Sequence, residues 1–158
     1  MRKKVGAFVM GTAVLFSLLV LAPLSRASSS ETFGEFITHL EFIGYTVSVN
    51  DDGIVNAKHP NDLSFSMKEF KGGVLCAGYF GGSDHAKGNQ GAFLQLVNEL
   101  NLNAAAARFY IDSDGDLAIE GYYPGAYEKK RFGVFIDVYN ESIAQLSNMS
   151  DRLDPYLD

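Results

Sequence analysis

The chain has 158 residues, 47% of them hydrophobic and 20% charged, with 19 acidic side chains against 13 basic. That is the length of one ordinary domain with enough apolar material for its own core. A net charge of −6 argues against a nucleic-acid ligand and against anionic membrane surfaces, since both need Lys and Arg to displace counterions.

The first 27 residues read as a separate object. Arg2, Lys3 and Lys4 precede a run from Val5 to Leu24 that carries no charge, and the small Ser25 and Ala27 stand at the spacing signal peptidase requires. A run of about twenty such residues could also span a bilayer, so a retained N-terminal anchor is the alternative. Gly6 and Gly11 dilute the run and Pro23 breaks it just before Ser-Arg-Ala, which favours a cleaved signal peptide, residues 1–27. Either way the body of the protein leaves the cytoplasm and is periplasmic or secreted. Cleavage after Ala27 leaves a single domain, 28–158, that makes no membrane contact. Nine of the basic and all 19 acidic residues lie in it, for a net charge of −10. Cys76 is the lone cysteine, so the exported domain has no internal disulfide and must be held by its apolar core. Within V-L-C-A-G-Y-F it reads as a small buried apolar residue rather than a nucleophile.

Along the chain, residues 28–30 read as a short mobile start, with Ser30 or Thr32 able to cap a helix over 31–43. Phe33, Phe36, Ile37, Leu40 and Ile43 fall on one face of it, Glu35, Thr38, His39 and Glu41 take the wet side, and Gly44 ends it. The period then changes to two. Tyr45, Val47 and Val49 alternate with polar residues, Asn50-Asp51-Asp52-Gly53 is a hairpin turn, and residues 54–58 return as a second strand. Leu63, Phe65 and Met67 alternate in a third, and a turn at Lys71-Gly72-Gly73 leads into a fourth over 74–80. The glycine-rich stretch 81–88 reads as a flexible loop. A helix from about Asn89 buries Phe93, Leu96, Val97 and Leu100, with Asn101 and Asn103 suited to its stop. Residues 105–112 and 117–123 form a second hairpin about Asp-Gly, and the small run Ala104 to Ala107 implies a helix packed close upon it. The last helix starts near Tyr127 or Glu128 and holds Phe132, Phe135, Ile136, Tyr139, Ile143 and Leu146 in register. Residues 151–158 read as an acidic tail. The order α-β-β-β-β-α-β-β-α predicts an α+β fold, an antiparallel sheet with three main helices in a helix-and-sheet sandwich.

The wording of this pattern resembles the YbjN family of bacterial proteins. The shared features are a first helix ending L-x-x-x-G-Y (Leu40 to Tyr45), an early Asp-Gly hairpin, a helix ending V-N-E-L-N (97–101), and R-F-Y-I-D-S-D-G-D-L-A-I-E (108–120) before a long final helix. The resemblance covers about 31–150. It implies a fold like that of type III secretion chaperones, which hold polypeptides, often as dimers. It implies no enzyme activity, only a loose association with sensory transduction or regulation, and it supplies no catalytic residues to carry over. Secretion chaperones work in the cytoplasm, whereas this leader directs the chain out, so their role does not transfer with the fold.

Asp112-Ser113-Asp114-Gly115-Asp116 places three carboxylates on alternate residues, as a calcium loop does. The glycine falls at position four rather than six, and Tyr123 occupies position twelve where an EF-hand needs Glu, so an Asp-Gly hairpin is the stronger account. Asp112, Asp114 and Asp116 stay as weak metal candidates. His39, His59 and His85 lack metal-ligand spacing, and Ser83-Asp84-His85 lacks a nucleophile elbow. The glycines around 81–91 match no phosphate-binding pattern. Tyr79, Phe80, Tyr110, Tyr122 and Tyr123 are more informative, because alternation puts some of them opposite the buried face of their own strands. A sheet face with exposed aromatics suits a protein, although a covering helix would also account for it. The sequence therefore points to an exported, non-enzymatic, polypeptide-binding or chaperone-like module. It needs no cofactor, its partner is a protein or peptide or a second copy of itself, and Arg108, Tyr110, Tyr122 and Tyr123 are the candidate contacts. The alternative is a small-ligand or calcium sensor on the 112–116 turn.

Overall fold

Every stretch of period two forms a strand in the computed structural model, which describes residues 29–158. The leader and its cleavage site lie outside the described residues. The elements run α1 Ser29–Phe42, β1 Thr46–Val49, β2 Val55–Lys58, β3 Phe65–Phe70, β4 Gly73–Phe80, α2 Asp84–Gly88 and α3 Gln90–Asn103. Then follow β5 Arg108–Ile111, β6 Leu117–Tyr123, α4 Lys129–Asn148, α5 Ser150–Leu153 and a 3-10 turn Asp154–Tyr156. The fold is α+β, as expected, with a single six-stranded antiparallel sheet in the order β1-β2-β3-β4-β6-β5.

Register decides which side chains share a face. Met67 pairs with Cys76 and Cys76 with Gly121, while Phe109 pairs with Ile119. These positions, with Val55, Ala57, Phe65, Val74, Leu117 and Tyr123, form the covered face and are nearly all sealed from solvent. α1, α3 and α4 lie over it. Phe36 of α1 and Phe132 of α4 meet edge to face at 4.8 Å, and both meet the Tyr123 ring. α3 contributes Phe93, Leu96, Val97 and Leu100, the four residues its spacing predicts. The small residues before β5 meet a helix as expected: Ser142 Oγ of α4 accepts the N–H of Ala105 at 3.2 Å. Gly121 makes a comparable close approach, since a Cβ there would stand 2.6 Å from the Tyr139 ring. The turn between β3 and β4 needs only Lys71 and Gly72, both at positive φ (46° and 76°), the geometry that matches strand twist in a two-residue hairpin.

Four expectations are corrected. The glycine-rich stretch is not a loop throughout: Ser83 caps a short helix, accepting the N–H of Ala86, and Asp84–Gly88 forms α2. The acidic C-terminal segment is not a tail. Leu153 is buried, Tyr156 stacks on Phe93 at 5.1 Å, and Asp158 N–H donates to Gly81 O at 2.9 Å, so the chain end is tied to the end of β4. His39 is buried rather than wet; it packs on Phe132 and its Nδ1 lies 3.0 Å from the Tyr127 hydroxyl. Ser29 and Ser30 belong to α1 rather than to a mobile start.

Candidate functional site

The other face of the sheet has no helix over it among the described elements, and register sorts its side chains into three rows. Lys68, Leu75 and Tyr122 form the first; Ser66, Ala77, Glu120 and Arg108 the second; Tyr79, Ala118 and Tyr110 the third. Phe70 stands beside the first row, its ring 5.9 Å from that of Tyr122 and edge-on to it. Tyr79, Tyr122 and Phe70 are 57%, 41% and 39% exposed, which is unusual for large apolar groups that share a surface. Ala118 is fully buried despite facing this side, since Tyr79 and Tyr110 flank it across β6. Phe70, Leu75, Tyr122 and the segment 105–107 enclose a shallow depression of about 560 Å3.

The polar centre of the face is one ion pair. Arg108 Nε donates to Glu120 Oε2 at 3.0 Å and the Arg108 Nη2 group bonds the same oxygen. Arg108 also lies over the Tyr110 ring at 5.1 Å. The Glu120 hydrogen bond holds the Arg108 guanidinium above its ordinary value, and desolvation followed by Glu120 raises the Tyr110 phenol. The two charges compensate each other, so a partner docking here meets exposed aromatic groups around one fixed polar pair, with Lys68 as a further charge in the first row. The Tyr122 hydroxyl is spent within the protein, donating to Lys71 O at 3.1 Å.

Three of the four predicted contact residues, Arg108, Tyr110 and Tyr122, therefore share this face. Tyr123 does not. It points to the helical layer, is 2% exposed, and packs against Phe36, Phe132 and Phe135. Its parity in β6 is that of Leu117 and Ile119, which fixes it inside. Phe70 and Leu75 were not singled out from sequence; extending the alternation of Ser66 and Lys68 by one step would have found Phe70.

The remaining candidates have structural work. Asp112 Oδ1 accepts the N–H groups of Asp114 (2.9 Å) and Asp116 (3.0 Å), and Asp116 Oδ1 accepts that of Gly82 (2.9 Å). The Asp112 and Asp116 carboxylates thus close the β5–β6 turn and fasten it to the end of β4. No group of three His, Cys, Asp or Glu side chains able to hold a metal ion occurs among the described residues. Ser83 Oγ donates to Pro155 O at 2.8 Å, and His85 packs edge-on to Tyr156, so the 83–85 triplet anchors the chain end. Burial pushes the Cys76 thiol far up, which keeps it protonated and inert.

The sheet's far edge carries a feature that composition does not reveal. Asn101 at the end of α3 donates from Nδ2 to Phe109 O at 2.8 Å and accepts the Phe109 N–H on Oδ1 at 2.9 Å. The side-chain amide takes the place of a neighbouring strand at β5. Strand addition there is blocked, which leaves β1 as the unpaired edge.

The fold defines a class: a two-layer α+β domain with helices on one face of an antiparallel sheet and, among the described residues, no helix over the other. It is the YbjN fold, similar to the crystal structure of YbjN from E. coli, described as a candidate transcription regulator. The TM-score is 0.60 over 80% of this chain and 95% of that one, at 11% sequence identity. No protein-family model and no curated protein matches the chain.

Proposed function

We propose that this protein is an exported, non-catalytic module that binds polypeptide on the uncovered face of its sheet. The observation that carries this reading is the grouping of Phe70, Tyr79 and Tyr122, all exposed, with Leu75 and Tyr110 on one face. An apolar segment of a partner, or the same face of a second copy, would lie across the three rows and cover the rings. The Arg108–Glu120 pair would set its register, and Lys68 in the first row would favour a partner with an acidic flank. Aromatic anchors of this kind dominate binding energy in protein interfaces, so loss of one ring weakens binding by about tenfold or more. The net negative charge of the protein as a whole disfavours nucleic acid as the ligand.

The test is light scattering of the processed protein over a range of concentrations, together with its ability to hold a permanently unfolded model polypeptide. Tyr79→Ala and Tyr122→Ala are expected to weaken self-association or polypeptide binding, with melting temperatures close to that of the parent. A parent that neither associates nor binds the polypeptide, or variants that do so undiminished, would exclude this face.

A further inference from the structure

The cluster of basic residues at the start of α4, Lys129 to Arg131, plays no part in the reading above, yet two of its members border an apolar groove. The groove runs beside the first half of α4, lined by Val134, Phe135, Val138 and Ala106, with Lys130 and Arg131 at one end, and encloses about 620 Å3. Val134 is 55% exposed at its rim. The volume falls within the range of small-molecule sites, roughly 300–1,000 Å3. From Lys130 to Val138 the helix rises about 1.5 Å per residue, so the groove is on the order of 12 Å long.

Charge decides what would fit. Among the described residues neither Lys130 nor Arg131 has a carboxylate within ion-pair distance. Arg131 instead lies over the Tyr123 ring, 5.8 Å from its centroid. The nearest acid in sequence, Glu128, caps α4 by accepting the N–H groups of Lys130 and Arg131, and neither it nor the later Asp137 and Glu141 lines the groove. On a protein of net negative charge, two cations with no ion-pair partner among the described residues thus stand at one end of an open apolar groove, in the first turn of a helix. Repulsion from more distant acids is screened beyond roughly 8–10 Å at ordinary salt. We propose that this groove binds a single-chain anionic amphiphile of the carboxylate class, its tail along Val134, Phe135 and Val138 and its headgroup between Lys130 and Arg131.

Calorimetric titration tests this, with decanoate as the probe and decanol and decyltrimethylammonium as headgroup controls. Decanoate is expected to bind saturably at one site per chain, about tenfold or more tighter than either control, since a charge-assisted hydrogen bond separates them. The double variant Lys130→Glu, Arg131→Glu should lose that preference. Val134→Glu, at an exposed position, should abolish binding with the melting temperature kept. Equal affinity for the three headgroups, binding without saturation, or an undiminished response in either variant would overturn the proposal. The groove meets the depression of the uncovered face only at Ala106, and Tyr79 lines neither, so Tyr79→Ala should leave decanoate binding unchanged.

Discussion

Replacing Asn101 by alanine tests how the sheet is closed at its far edge. The side chain makes three hydrogen bonds, one back to Val97 O at 3.1 Å and two to the backbone of Phe109. Each such bond contributes about 0.5–1.5 kcal/mol net, and the loss is greater where a partner is left unpaired. Phe109 is 3% exposed, so water reaches its freed N–H and C=O poorly. The expected loss is about 2–3 kcal/mol, a fall in Tm of roughly 10 °C for a domain of this size. Thermal and urea denaturation followed by circular dichroism would measure it. Asn103→Ala is the control, because Asn103 ends the same helix without bonding β5. The freed edge should also raise self-association, since an unpaired strand is a template for another. A loss under about 0.5 kcal/mol, or an equal loss in the control, would refute the reasoning.

Three further substitutions probe the helical layer. The Tyr139 hydroxyl is buried and has no hydrogen-bond partner among the described residues, so Tyr139→Phe should hold or raise stability, by about 1 kcal/mol in urea denaturation. Gly121→Ala would push a methyl group into the Tyr139 ring and the Ala106 carbonyl, at a cost of about 1–3 kcal/mol in the same assay. Desolvation, and then the Lys129 charge, lower the His39 pKa below its ordinary 6.5. The unfolded chain therefore binds the proton more readily than the folded one. Stability from this group is complete above about 6.5 and declines as pH falls from there through the folded value. Melting temperatures from pH 7.5 to 5 should show that decline, and His39→Gln should flatten it.

Much of the fold was legible because its elements are local. Alternation at 45–49, 65–68 and 117–119, the apolar spacing from Phe132 to Leu146, and the Asp-Gly turns identify strands, helix and hairpins to within a few residues. The insertion of β6 between β4 and β5 was not legible, because pairing depends on contacts distant in sequence. The chain end was misread because Leu153, Tyr156 and Leu157 stand in an acidic stretch too short to show a period; their partners, such as Phe93, lie far away. His39 was assigned to water by residue type, although it adjoins Leu40 and stands three residues from Phe36, on the buried side of the helix. Tyr123 is a different kind of miss. The alternation that placed Leu117 and Ile119 inside also places Tyr123 there, so its exclusion from the site was available in the strand itself. Asn101 reads as a helix stop in sequence, and its bond to β5 appears only once α3 and the strand are side by side.

The most direct test of the central claim is residue-resolved amide NMR of the processed protein titrated with a permanently unfolded, aromatic-rich polypeptide. The account predicts shifts concentrated on β4, β5 and β6, about Leu75, Tyr79, Arg108, Tyr110 and Tyr122, with the amides of α1 and the second half of α4 unmoved. Shifts confined to the helical layer, or none at concentrations where Tyr79→Ala and parent can be compared, would contradict it.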